Sequence, residues 1–228
     1  MNKLLDIALL VGIVPLMCVG VYAFVDAVLV AGSAKIDGEL VTLAQGGGEE
    51  LFGRLDGESR YVVAWLMIDD TNINYPVVQG KNNSWFLSRD YKGEFATAGS
   101  LFLDYRNSPD FSDYFSIIYG HRMGNGEMFS DVQKFEDLTF FDTHIGGKLR
   151  VRGSDWPVLI VAYAEVRADD WSIYNVGKSH SDESAVRHVM DLSVRLREDV
   201  LADGYILLST CDGSEKDKRD VLLVRLLR

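Results

Sequence analysis

About eight short runs rich in β-branched and aromatic residues, each bounded by turn signals, constrain this chain most. A sheet of that many strands must either close on itself or stack in two layers to bury its apolar side. The runs are Tyr61–Ile68, Ile73–Gln79, Ser100–Asp104, Tyr114–Tyr119, Lys148–Arg152, Val158–Tyr163, Gly204–Cys211 and Val221–Val224. Asp69 to Asn72 is a turn, and Pro76 marks the second run as an edge or a bulge. The residues thus predict a mainly β domain, either a closed barrel or a sandwich. One long helix interrupts the pattern. Ala185, Val189, Leu192, Leu196 and Val200 fall at helical spacing, with Ser181 as cap and Asp182 and Glu183 in the first turn. Its apolar stripe is expected to dock on the barrel wall.

Ahead of these runs, Ile7 to Val25 carries no charge and matches the length that spans a bilayer core. Pro15 is tolerated inside such a helix. Lys3 precedes the run while Asp26, Asp37 and Glu39 follow it, so a single-pass anchor with a cytoplasmic N-terminus is expected. A cleaved signal peptide is the rival reading, with Val30 to Ala34 as its small-residue cleavage stretch. The apolar run is longer than a usual signal core, which favours the anchor. Next, Glu39–Ala44 and Glu49–Leu55 read as two short helices broken by Gly46 to Gly48. The expected organisation is an anchor over 1–33, a juxtamembrane helical segment over 34–58 and a β domain over 59–228.

A formal charge of −11 excludes nucleic acid as a partner, because phosphate binding needs clustered Lys and Arg. Of the two cysteines, Cys18 lies in the apolar N-terminal run, which leaves Cys211 as the thiol of the β domain. An unpaired cysteine outside the cytoplasm is unusual and points to a reactive thiol. Cys211 ends an apolar strand, and the loop that follows, Asp212 to Lys218, is too long for a two-residue hairpin. If the flanking strands pair, Arg219 faces Cys211 across the loop's mouth, where it can lower the thiol's pKa or bind an oxyanion. His121 also sits where an apolar strand, Tyr114–Tyr119, runs into a glycine-rich loop. A histidine at one strand end can reach a cysteine at the next, giving a Cys–His pair for acyl transfer. Taken singly, each residue has a plainer reading: a buried apolar thiol, a surface arginine, a hydrogen-bonded histidine.

His144, His180 and His188 read as structural. They form no i,i+4 metal pair and there is no cysteine cluster, so no metal is expected. The glycines follow neither the P-loop nor the dinucleotide pattern, and no cofactor is expected.

Leu208-Ser-Thr-Cys211 resembles the Thr-Leu-x-Thr-Cys signature of sortases, with Leu207 where the first Thr is usual. The resemblance extends to Tyr119-Gly-His121, to Lys218-Arg219, to Ile73–Gly80 and to Ala98–Asn107, and covers roughly 60 to 228. The helix before the cysteine strand and the helical segment after the anchor are similar to features of class B sortases. The resemblance implies a closed eight-stranded β-barrel carrying a cysteine transpeptidase on the outer face of a Gram-positive-type membrane. It implies cleavage of a sorting signal of the Leu-Pro-x-Thr-Gly or Asn-Pro-x-Thr-Asn/Gly kind after Thr. The acyl group then passes to an amine of a peptidoglycan precursor or a pilin. By position Cys211 is the nucleophile, His121 the acid and later the base, and Arg219 the oxyanion and backbone ligand. Asn83 and Leu87, with Ser209 and Thr210 beside the nucleophile, are the expected substrate-binding residues. With no carboxylate orienting the histidine, the thiol should be mostly protonated at neutral pH, and the enzyme slow. The rivals are a secreted cysteine hydrolase and a membrane-anchored binding module with an inert thiol.

Overall fold

The computed structural model describes residues 3–176, 182–197, 202–210 and 217–228, with side chains except at 3–10, 26–31, 33 and 182. Three helices come first: α1 (Lys3–Ser33), α2 (Gly38–Gly46) and α3 (Gly48–Asp56). The strands are β1 (Val62–Ile68), β2 (Asn74–Gln79), β3 (Leu101–Leu103), β4 (Phe115–Gly120), β5 (Gly146–Val151), β6 (Ser154–Arg167), β7 (Ser193–Leu196), β8 (Tyr205–Thr210) and β9 (Lys218–Leu226). Between them lie α4 (Leu138–Thr143), α5 (Trp171–Tyr174), α6 (Asp182–Asp191) and 3-10 turns at Trp85–Ser88 and Ser130–Glu136.

The strands run in the order β5-β1-β2-β3-β4-β8-β9-β6-β7, and β5 also pairs with β6. That extra pairing closes eight strands into a mixed barrel and leaves β7 as a flap on β6. Closure removes the exposed edges that an open sheet of this size would carry. Pro76 sits where its missing N–H costs nothing, since the parallel ladder to β3 begins only at Val77.

Strand alternation sorts the side chains. Ile118, Ile206, Leu208, Leu222 and Val224 fill the barrel, while Ile117, Leu207, Val221 and Leu223 face out. The outward set is covered by Ala185, Val186 and Val189 of α6, so the helix docks on the barrel wall as its apolar stripe suggests. Its length differs from the expectation. The helix stops at Asp191, and Ser193–Leu196 becomes a strand paired with β6 at Ala162 to Ala164. Leu192 and Leu196 are therefore exposed rather than on a helix stripe. Ser181 and Val200, the expected cap and last stripe residue, lie outside the described residues.

The two short helices fall on either side of Gly47, with Asp37 capping α2 through Glu39 N–H at 3.0 Å. Leu40, Ala44, Leu51, Phe52 and Leu55 pack on Val62, Trp65, Val78 and Phe102 of the barrel's outside. Arg150 of β5 fastens them. It is 1% exposed, donates through Nε to Ala44 O at 2.7 Å, and pairs with Asp155. Arg150→Ala strands a helix-end carbonyl and one carboxylate, and is expected to cost about 2–3 kcal/mol in urea unfolding. A change under about 0.5 kcal/mol, the range of an ordinary surface substitution, would contradict this role.

The single-pass anchor expected over Ile7–Val25, with its cytoplasmic N-terminus, is corrected here. Among the described residues, no helix is long and apolar enough to cross a membrane.

Candidate active site

Three neighbouring strands converge at one barrel mouth. β4 and β8 run parallel, with Tyr119 opposite Ser209 and Gly120 opposite Thr210. β9 runs antiparallel to β8, with Ser209 opposite Val221. His121 follows the last residue of β4, and Arg219 is the second residue of β9. Cys211 lies outside the described residues; in sequence it follows Thr210, the last residue of β8. The barrel therefore brings His121 and Arg219 to either side of the strand that leads into the cysteine.

The backbone at His121 is held tightly. Gly120 admits no side chain, because a Cβ there would lie 2.4 Å from Leu101 Cδ2 and 2.7 Å from Phe129 Cδ2. The His121 carbonyl accepts from Phe129 N–H at 2.9 Å, where the loop folds back. The half-buried imidazole lies with Nε2 2.8 Å from the Leu87 carbonyl. A carbonyl only accepts, so Nε2 carries the proton and Nδ1 is left for proton exchange. Arg219 is half-buried, and among the described residues its guanidinium hydrogen-bonds only the Lys218 carbonyl, at 3.2 Å.

The four expected substrate-binding residues fall in different situations. Leu87 supplies the carbonyl that orients His121. Ser209 is buried on the outward face, its Oγ 3.0 Å from Tyr174 Oη. Asn83 uses both ends of its amide internally, donating to Asp104 Oδ2 at 2.7 Å and accepting from Tyr105 N–H at 3.0 Å. Thr210 faces the barrel interior, fully buried, and its Oγ1 accepts from Asp220 N–H at 3.1 Å.

A polar network that the sequence reading missed supports this wall. Asp104 is fully buried and accepts from Asn83, from Arg106 Nε and Nη2 at 2.9 and 2.8 Å, and from Tyr119 Oη at 3.1 Å. Burial raises its pKa, but the hydrogen bonds from Arg106 and Asn83 outweigh it and hold the carboxyl below its ordinary value. The Tyr119 hydroxyl is pushed up by burial and by the Asp104 charge. Arg106 also donates to the Tyr174 carbonyl at 2.8 Å, and Tyr174 stacks on Tyr119 with centroids 6.3 Å apart. One buried carboxylate thus ties together the turn that carries Leu87, strand β4 and α5. The residues span positions 83 to 174, so no local motif announces them. The only sequence signal is an aspartate directly ending an apolar run.

His144 stacks on Phe140 with ring centroids 3.7 Å apart, and His188 pairs with Asp170 at 3.0 Å. His180 lies outside the described residues.

A family model described as the Sortase domain matches residues 66–226. Sortase B of Listeria monocytogenes is 39% identical over 159 residues, which cover 68% of this chain and 64% of that protein. This chain thus spans a little under two-thirds of that relative's length. The structure of a Streptococcus pyogenes class B sortase involved in pilus biogenesis matches with a TM-score of 0.71 at 30% identity, over 79% of this chain and 100% of that one. A Staphylococcus aureus sortase B–substrate complex matches with a TM-score of 0.73 over 83% of this chain and 90% of that one; at 23% identity it speaks to the fold alone. With the family model covering most of the chain from within β1 to the end of β9, and His121 and Arg219 flanking the strand that leads to Cys211, the chain belongs to the sortase family, among its class B-like members.

Proposed function

We propose that this chain is a cysteine transpeptidase that cleaves a sorting signal of the Leu-Pro-x-Thr-Gly or Asn-Pro-x-Thr-Asn/Gly kind after Thr and transfers the acyl group to an amine. The observation that carries this reading is the register of β4, β8 and β9, which sets His121 and Arg219 beside the strand leading to Cys211. The catalytic unit is residues 59–228, and the helices of 34–58 brace its wall.

In this reading the Cys211 thiolate attacks the Thr carbonyl carbon, and the carbonyl oxygen becomes an oxyanion bound by Arg219. Collapse breaks the peptide C–N bond. The leaving amine takes its proton from Nδ1 of the His121 imidazolium, while Nε2–H stays on the Leu87 carbonyl. The thioacyl carbonyl is then attacked by an incoming amine, whose proton goes to Nδ1. Departure of the thiolate releases the new amide. Leu87 acts through its carbonyl, which orients His121. Asn83, Ser209 and Thr210 act through positioning, since their polar atoms are bonded within the protein.

Two acceptors fit the reading: an amine of a peptidoglycan precursor, and a pilin lysine. The 30% identity to a class B sortase involved in pilus biogenesis keeps the second in place. Either way, the donors are surface proteins or pilins bearing a sorting signal.

The thioacyl intermediate is the test. The full chain mixed with a sorting peptide and no amine is expected to gain the mass of the peptide acyl portion on Cys211. Cys211→Ala is expected to gain none. An adduct on another residue, or cleavage that survives Cys211→Ala, would sink the reading.

A further inference from the structure

His121, Cys211 and Arg219 have three immediate neighbours in sequence: Arg122, Thr210 and Asp220. These neighbours form a second row on the inner side of the same barrel mouth. Asp220 has the phase of Leu222 and Val224, which lie in the barrel core, and is 8% exposed. Its Oδ1 accepts from the buried Tyr163 hydroxyl of β6 at 2.7 Å. Its Oδ2 pairs with Arg122 Nη1 at 3.3 Å, and the same Nη1 donates to Gln133 Oε1 at 2.8 Å. Its backbone N–H and C=O bond Thr210 Oγ1 at 3.1 and 3.2 Å. Because β8 lies between β4 and β9, the Arg122–Asp220 pair reaches across the end of the strand that leads to Cys211.

We infer that Asp220 is a positioning residue: its carboxylate, held by Tyr163 and Arg122, fixes the end of β9 against the chain just beyond β4, and so sets the spacing of His121 and Arg219. Between β4, β8 and β9 the ladder stops at Gly120–Thr210 and Ser209–Val221, while on the other side β6 follows β9 out to Lys218. One residue further out, the side-chain row takes over from the backbone in tying β9 to β8 and to the chain beyond β4. Strand ends fray where the ladder stops, and acyl transfer is sensitive to displacements of about 1 Å. The inference rests on the transpeptidase reading for its kinetic consequence, but the mechanical claim stands apart from it.

The test uses Asp220→Asn, which keeps the shape but removes the charge facing Arg122, and Arg122→Gln, which breaks the same pair from its more exposed side. Both are measured for peptide cleavage and for amide hydrogen exchange. The expected result is a kcat lower by about 10- to 100-fold with KM within about twofold. The double variant should be little worse than Arg122→Gln alone, because both substitutions break the same Arg122–Asp220 pair. The amides of Phe129, bonded to the His121 carbonyl, and of Asp220, bonded to Thr210, should exchange about tenfold faster. Those of Ile117 and Leu207, mid-strand, should not change. A purely structural role would raise exchange across the whole barrel and leave kcat intact below the melting temperature. Unchanged exchange at Phe129 and Asp220, or additive kcat losses, would overturn the inference. If the parent chain cleaves no sorting peptide, the transpeptidase reading fails, and exchange alone then decides the role of Asp220.

Discussion

Replacing His121 with alanine is expected to lower kcat/KM for a sorting peptide by about 10²- to 10⁴-fold, the contribution of a positioned general acid–base group. The melting temperature should hardly move. The side chain is half-buried and, among the described residues, makes one hydrogen bond, to the Leu87 carbonyl, worth on the order of 1 kcal/mol. His121→Gln makes the test sharper. Its amide N–H can still donate to Leu87, so it keeps the contact and loses the exchangeable proton on the opposite nitrogen. If proton transfer at Nδ1 is the role, glutamine is as defective as alanine. If glutamine restores activity to within a few-fold, the imidazole only props the 85–88 turn, and the assignment of acid and base is wrong. Steady-state kinetics on the three proteins decides it.

Arg219→Ala is expected to cost about 10²- to 10³-fold in kcat, the range for removing one oxyanion donor. Among the described residues, its guanidinium hydrogen-bonds only the Lys218 carbonyl, so its removal breaks no described network. Stability should change by less than about 0.5 kcal/mol. Arg219→Lys keeps the positive charge but not the planar fork, and should recover only part of the loss. The neighbour Arg122 supplies an internal contrast, because it is paired with Asp220 and bonded to Gln133. Full activity in Arg219→Ala would remove the oxyanion role, and full recovery in Arg219→Lys would reduce that role to charge alone.

The strands were legible because they announce themselves locally, while the choice of a closed barrel over a sandwich came only with the resemblance to sortases. Each of the eight runs has a glycine, a proline or an acidic residue directly on at least one side, and their β-branched content leaves little choice of conformation. The helices α2 and α3 were equally plain, since Gly46 to Gly48 breaks the pattern. The segment after Asp191 was misread for a physical reason. Leu192 and Leu196 continue the helical spacing of Ala185 and Val189, yet Val194 and Leu196 also alternate with Ser193 and Arg195. The exposed edge of β6 offers ladder partners at Ala162 to Ala164, and tertiary pairing won over local periodicity.

At the site, His121 and Arg219 were legible because each lies where an apolar strand meets a polar loop, beside recognisable motifs. Asp104, Arg106, Tyr174 and Asp220 were not. Asp104 meets Asn83 across 21 positions, Arg106 meets Tyr174 across 68, and Asp220 meets Arg122 across 98. Nothing in a one-dimensional pattern reports such encounters; they exist only once the barrel closes. The same holds for Thr210, which reads as a neighbour of the thiol but turns into the barrel because strand side chains alternate.

The measurement that bears most directly on the transpeptidase reading is product partitioning. The full chain would be incubated with a sorting peptide and increasing amine, as oligoglycine and as a lysine-bearing pilin peptide, with Cys211→Ala alongside, and products resolved by mass. The expected result is that ligated product rises with one amine while hydrolysed product falls, at a constant rate of peptide consumption, and that both vanish in Cys211→Ala. A hydrolysed product unaffected by either amine would mean that water is the acceptor and that the enzyme is a peptidase. Turnover that persists in Cys211→Ala would contradict thiol catalysis altogether.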